Sequence, residues 1–285
     1  MNSIVRTLKS KLGGALQKRI ALYLLLVFFA ALFLTPLFIV ISTGLKTFQD
    51  ARLAAMWTLP PEISFEAFSQ AFSRLAPHLR NSLVLVIPAT FLSAALGSLN
   101  GYVFSKWRFR GSDTIFALML FGMFIPYQSI LIPLVVSLRE IGLYGSLGGL
   151  ILTHVVYGIP ITTLMFRNFY AKIPDELLDA GFMDGLELLG AYRRIIVPLS
   201  APGLVVVVIW QFTSIWNDFL FAVTITQRPG VQPITVALQN LAGSQVVEWN
   251  VQMAGALLAA LPTLIIYIIL GKYFVRGMLA GSVKG

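Results

Sequence analysis

The chain has 285 residues, 57% hydrophobic and 12% charged, with a net charge of +9 and no cysteine; its mean hydropathy is +0.82. Soluble domains carry about 25% charged residues, so this composition excludes a single large soluble core, and the missing cysteine excludes disulfide frameworks, thiolate metal sites and thiol nucleophiles. The basic residues sit at the ends of apolar runs rather than in a stripe beside stacking aromatics, which argues against a nucleic-acid groove.

Crossing the hydrocarbon takes about 20 apolar residues in helical form. Six stretches qualify, at roughly 20–44, 80–104, 114–136, 145–167, 200–226 and 254–275. The first follows Arg6, Lys9, Lys11, Lys18 and Arg19, but its apolar run is too long for the core of a secretion signal, so it reads as an uncleaved span. Pro36, Pro88, Pro126, Pro133, Pro160 and Pro262 fall inside spans, where neighbouring helices can satisfy the carbonyls they free. They predict kinked helices, around a pathway or simply in a bundle. The predicted organisation is a segment 1–19, a membrane domain 20–275 with a long inner loop 168–199, and a tail 276–285.

With both termini inside, the inner segments hold fifteen Lys and Arg and the outer segments six. That bias sets the orientation. Trp57 and Trp249 then anchor the outer interface and Trp107 the inner one. His78 and His154 are far apart and form no metal-ligand spacing, and no G-x-x-x-x-G-K-[ST] phosphate loop is present.

The inner loop reads AKIPDELLDAGFMDGLELLGAYRRIIVPLSAPG over 171–203. Pro174, Asp175 and Glu176 suit a helix start, because acidic groups favour the positive end of the helix dipole. Leu177, Leu178, Phe182, Met183, Leu186 and Leu189 make an apolar face. Chemistry alone describes an amphipathic helix at the cytoplasmic surface, which on its own terms could rest on lipid headgroups.

This loop resembles the cytoplasmic motif of ABC importer permeases: Glu-Ala-Ala, three residues, Gly, nine residues, Ile, one residue, Leu-Pro. Here Asp179-Ala180-Gly181 stands for the triplet, Asp184-Gly185 for the glycine and the acid before it, and Ile195 with Val197-Pro198 for the end. The departures are Asp179, Gly181 and Val197. Trp57-Thr58-Leu59-Pro60, Asn81-Ser82, Gly101-Tyr102, Phe109-Arg110-Gly111, Trp216-Asn217-Asp218 and the ending from Gly281 are similar to the carbohydrate branch, above all its second permease subunit of the maltose type. The tracts around Ile125, His154 and Trp210 look most like permeases for glucose, mannose or short glucosides, with oligosaccharides and glycerol phosphate as the alternative substrates. The resemblance implies an all-α membrane protein of six transmembrane helices of the type I importer kind, with a coupling helix around 175–189.

It further implies a non-catalytic subunit in a bacterial or archaeal plasma membrane. Its partners would be a second permease, two ATPase subunits that bind the ATP and Mg, and an extracytoplasmic sugar-binding protein. Asp179, Ala180, Gly181, Asp184, Gly185, Glu187, Ile195 and Pro198 would face or support the ATPase contact, and Lys284 would reach the same interface. In the fifth span Gln211, Trp216, Asn217 and Asp218 are candidates for the sugar path. Asp218 is the one formal charge well inside a span, which makes it a functional hypothesis; capping a broken helix or pairing with a partner subunit are its structural alternatives. Tyr127-Gln128 and His154 with Tyr157 are further candidates. An ion-driven transporter would more often show several intramembrane acids and an inverted repeat, and a membrane enzyme would need a catalytic pair that neither histidine supplies.

Overall fold

The computed structural model describes residues 2–107, 109–243 and 247–279, with side chains from 17 to 273 inside those limits. Lys284 lies outside them. Every regular element among the described residues is helical. In chain order they are α1 (Asn2–Gly44), α2 (Glu66–Lys106), α3 (Ser112–Phe121), α4 (Leu131–Glu140), α5 (Leu147–Tyr170), α6 (Asp175–Met183), α7 (Leu188–Ala191), α8 (Val197–Leu199), α9 (Ala201–Trp216), α10 (Leu220–Ile225), α11 (Ile234–Ala242) and α12 (Trp249–Leu279). A five-residue π-turn, Tyr192–Ile196, joins α7 to α8.

Four helices are long and apolar enough to cross a membrane unbroken: Gln17–Gly44, Glu66–Lys106, Leu147–Tyr170 and Trp249–Tyr273. They correspond to the expected spans one, two, four and six. Expected spans three and five differ. The third is not one helix over 114–136: Ser112–Phe124 and Tyr127–Glu140 meet at 92°. Pro126 has no N–H to return to Gly122, and Ile125 before it is extended at φ −72°, ψ 118°, as the residue preceding a proline prefers. The fifth is not one helix over 200–226 either. Its apolar run α9 begins at an 80° bend after Leu199, ends at Trp216, and restarts as α10 after a gap of three residues. Pro36, Pro88, Pro160 and Pro262, by contrast, sit inside continuous helices. α2 is 41 residues long, about 60 Å, twice the hydrocarbon thickness of about 30 Å, so it extends well beyond the expected 80–104.

The chain divides into two compact units, residues 1–71 with 246–258 and residues 72–245 with 259–285. In the first, Ala67, Ala71, Val251 and Ala254 form a small core. Lys46 is buried there at 1% exposure. Its ammonium donates to the Ala55 carbonyl at 2.6 Å, and its own carbonyl accepts from Asn250 at 3.2 Å. Desolvation pulls the Lys46 pKa below the ordinary lysine value, with Asp50 opposing. The apolar window of α1 is 0% buried; a helix apolar all round and uncovered by its own chain belongs in hydrocarbon.

The second unit holds two cores. One gathers Leu85, Val86, Leu150, Phe212, Ile215, Trp216, Phe221 and Ile225 with α11. The other gathers Ala94, Tyr102, Phe166, Tyr170, Leu178, Ala191, Ile196 and Val207. Between helices in lipid the apolar effect gives little net drive, so close packing and interhelical hydrogen bonds carry association. Gly97 illustrates this: a Cβ there would lie 2.1 Å from Thr162 Oγ1 and 2.9 Å from the Thr162 carbonyl carbon. That proximity lets Thr162 donate to the Ser93 carbonyl at 3.0 Å across the α2–α5 contact.

Candidate functional site

A cavity of about 690 Å³ opens in the second unit at the two helix breaks. The break after Phe124 contributes Gly122, Met123 and Tyr127; α5 contributes His154, Tyr157 and Gly158; α9 and the break after it contribute Trp210, Gln211, Asn217, Asp218 and Phe221. Backbone freed at the breaks is satisfied locally. Asp218 accepts from the N–H groups of Phe221 at 3.4 Å and Ala222 at 3.0 Å, which caps α10. Tyr157 donates to the Ile125 carbonyl at 3.3 Å, which ties α5 to the other break.

The aromatic groups form a cluster centred on Phe221. Its ring centroid is 5.5 Å from Tyr127, 5.4 Å from Tyr157 and 5.7 Å from His154. His154 Nε2 stands 3.5 Å from Asp218 Oδ2, with no hydrogen-bond partner among the described residues. Asp218 is 12% exposed at its side chain and His154 8%. The cavity thus presents ring faces beside amide, imidazole and carboxylate groups, a surface matched to a ligand with both apolar faces and hydroxyls.

Of the expected path residues, Gln211, Asn217 and Asp218 line the cavity, and Tyr127, His154 and Tyr157 join them. Trp216 does not. It is 3% exposed, stacks on Phe212 at 5.7 Å and 7°, and donates its indole N–H to the Ala259 carbonyl at 3.0 Å. It is an interhelical group, and no face of it is free to cover a ligand. Asp218 lies between helices rather than inside one. Trp210 and Phe221 escaped the sequence reading. Trp210 sits one residue before Gln211, but its apolar surroundings give no signal that separates it from a lipid-facing residue.

The second cluster is the loop 171–200. α6 ends at Met183, not near 189, through a motif legible in atoms. Gly185 has φ +84°, its N–H bonds to the Phe182 carbonyl at 3.0 Å, and the Leu186 N–H bonds to the Gly181 carbonyl at 2.9 Å. This is a Schellman ending. No heavy atom lies within 4 Å of a Cβ placed on Gly185, so its need is conformational rather than steric. Asp179, Ala180, Asp184, Gly185, Glu187 and Pro198 are exposed; Gly181 is buried and Ile195 half-buried. A Cβ on Gly181 would sit 2.7 Å from Ile195 Cδ1, so these two motif positions pack on each other. The apolar face splits. Leu178 turns inward at 5% exposure, while Leu177, Phe182, Met183 and Leu189 stay exposed, Met183 at 88%.

Broken apolar spans enclosing a polar and aromatic cavity, with an amphipathic surface segment between spans, define the transmembrane permease class. Its sequence profile for binding-protein-dependent transport system inner membrane components matches residues 93–280, and the chain belongs to that family of ABC importer permeases. It is 48% identical over 270 residues to a probable ABC transporter permease protein of Pyrococcus horikoshii, covering 94% of this chain and 98% of the other. It is 35% identical to the xylose/arabinose import permease protein of Haloferax volcanii, covering 92% of each. The fold is that of the type I importer permeases. The crystal structure of a bacterial ABC transporter involved in import of the acidic polysaccharide alginate has a chain that superposes with a TM-score of 0.78, at 21% identity, over 90% of this chain and 95% of that one.

Proposed function

We propose that this chain is a sugar-conducting permease subunit of an ATP-driven importer, paired with a second permease, two ATPase subunits and an extracytoplasmic sugar-binding protein. The observation that carries the sugar reading is the cavity at the helix breaks. Its volume of about 690 Å³ lies in the range of about 300–1,000 Å³ common for small-molecule sites, and its rings and hydrogen-bonding groups suit a sugar's two kinds of surface. Asp218 is the one carboxylate on the lining, and no Lys or Arg is among the described lining residues. That favours a neutral sugar over a sugar phosphate or uronate, because an anion would meet the like charge of Asp218 with no Lys or Arg on the lining to offset it. The xylose/arabinose role of the Haloferax relative supports the same class.

In this reading both termini and the loop 168–199 face the cytoplasm, as the basic-residue bias supports. The exposed apolar groups Leu177, Phe182, Met183 and Leu189 seat in an ATPase cleft, while Asp179, Asp184 and Glu187 meet basic groups at its rim and set register. ATP binding draws the ATPase pair together, and the spans rock between inward-open and outward-open states. ATP and Mg reside on the partners. The test is to purify the chain gently from its source and identify what accompanies it, then to reconstitute the complex and assay uptake of a sugar panel. Copurifying ATPase and uptake of a neutral sugar are expected. A chain that runs alone and moves substrate on an ion gradient would overturn the reading.

A further inference from the structure

α2 presents Ser98, Tyr102 and Lys106 at spacings of four residues, which places them on one helix face. All three reach the loop 171–200. Ser98 Oγ lies 2.6 Å from the Tyr192 hydroxyl and 2.6 Å from the Tyr170 hydroxyl at the end of α5. The Tyr102 hydroxyl donates to the Leu188 carbonyl at 3.3 Å, and its ring packs on Tyr192 at 5.3 Å. Lys106, 4% exposed at its side chain, donates to the Ile173 carbonyl at 2.5 Å and to Asp175 at 2.6 Å. The rail therefore grips both ends of the segment: the start of α6 through Lys106, and the π-turn after α7 through Ser98 and Tyr102.

We propose that this rail is the mechanical link by which displacement of the coupling segment becomes displacement of the helices around the cavity, with Ser98, Tyr102, Lys106 and Tyr192 as its positioning residues. The inference rests on the ATPase-facing reading of the segment. Two features make the link stiff. Ser98, Tyr102 and the Lys106 ammonium are buried and each bonds to the segment, while Asp175 at the far end is 77% exposed, so a slip along the rail would leave the α2 groups unpaired. The next face of α2 carries Gly97 and Gly101, where α5 approaches so closely that a Cβ would meet Thr162 and Phe166. α5 in turn presses on Gln211 of α9 at Gly158, where a Cβ would lie 2.1 Å from the Gln211 amide nitrogen. The segment, α2, α5 and α9 are thus joined by close contacts at each of these positions. Packed helices of this kind shift as bodies rather than deform.

The test uses the assembled importer in proteoliposomes and compares substrate moved per ATP hydrolysed. Ser98→Ala/Tyr192→Phe and Lys106→Met are expected to keep ATPase copurification and ATP turnover while the transport ratio falls roughly 3- to 10-fold, the scale on which residues along a coupling route act. An unchanged ratio, or transport and hydrolysis falling in step, would overturn the proposal. Because the chain has no cysteine, Ser98→Cys/Tyr192→Cys offers a second arm. When reduced it should show the low ratio, and joining the two thiols with a short bifunctional reagent should restore it. A crosslink that stops transport until it is cleaved would mean that the segment must leave the rail, and would also sink the proposal. If the wild-type complex carries no ATPase, the coupling reading and this inference both fail. If it carries ATPase and the variants behave as wild type, only this inference fails.

Discussion

Asp218 separates two kinds of contribution, and replacing it by Asn and by Ala tells them apart. Its carboxylate caps α10 through two backbone N–H groups at 3.4 and 3.0 Å, and it stands 3.5 Å from His154 in the cavity wall. Removing a cap costs about 0.5–2 kcal/mol, and because Asp218 here holds two N–H groups, Asp218→Ala should fall at the upper end. Asn caps about as well as Asp in general, but here the two N–H groups go to different carboxylate oxygens and Asn keeps only one acceptor, so Asp218→Asn should lose about half of what Ala loses, roughly 0.5–1 kcal/mol. Asn also removes the charge. A hydrogen bond to a charged group is worth about 1.5–3 kcal/mol and a neutral one about 0.5–1.5. The difference of ~1 kcal/mol predicts about a fivefold rise in KM for a neutral sugar, with uptake of a sugar phosphate or uronate improved relative to wild type. Thermal melting of the purified complex reads the first effect and uptake kinetics the second. If Asn melts as low as Ala, the capping account is wrong. If Asn melts between Ala and wild type and its selectivity is unchanged, the carboxylate takes no part in the path.

At Gly185, φ +84° predicts that Gly185→Ala costs about 1 kcal/mol of α6 termination, while Gly185→Asn, which tolerates that region, costs less; ATPase retention during purification of the two variants checks the order. Gly97→Ala drives a Cβ to 2.9 Å from Thr162 backbone and should destabilise by about 1–3 kcal/mol, lowering the melting midpoint. Gly158→Ala puts its Cβ on the Gln211 amide end and 3.1 Å from Ser93 Cβ rather than on backbone, so it should lower melting less than Gly97→Ala and change transport KM. Because burial lowers the Lys46 pKa, the fold binds fewer protons there than the unfolded chain as pH rises toward the ordinary lysine value. Wild-type stability should therefore gain on Lys46→Met across that alkaline window, and parallel melting curves for the two would contradict it.

Four spans were legible because an unbroken apolar run is both necessary and nearly sufficient for a membrane helix. The breaks at 124–127, 199–201 and 217–219 were not, because hydropathy counts side chains and a break is a backbone event. Six prolines looked equivalent in sequence; four stay inside continuous helices and Pro133 sits in the first turn of α4, whereas Pro126 follows Gly122 by four residues and ends one. The path residues were half legible. Trp216, Asn217 and Asp218 are adjacent in sequence, but α9 ends at Trp216 and Asp218 lies in the break that follows. Asp218 can therefore face the cavity while Trp216 stacks on Phe212. Similarly, periodicity marked Leu178 as one of an apolar set, yet it could not show that one member packs on the chain's own core and the rest stay free.

The placement of stiff and breakable elements is itself an argument about mechanism. α5 carries His154, Tyr157 and Gly158 at the cavity and Phe166 and Tyr170 in the core beneath the surface loop. From 154 to 170 is about 24 Å of continuous helix, held against α2 by glycine contacts. The segments around Pro126 and Asp218 are instead held by caps and single hydrogen bonds such as Tyr157 to the Ile125 carbonyl. Helix interiors resist bending because every turn shares its hydrogen bonds, whereas a break offers rotation about a few dihedrals at small cost. α5 is continuous but carries Pro160, which leaves the Val156 carbonyl without its helical N–H partner, so a shift delivered to its foot can be taken up at that turn as well as at the two breaks. Those breaks are where the cavity's carboxylate and half of its rings are mounted.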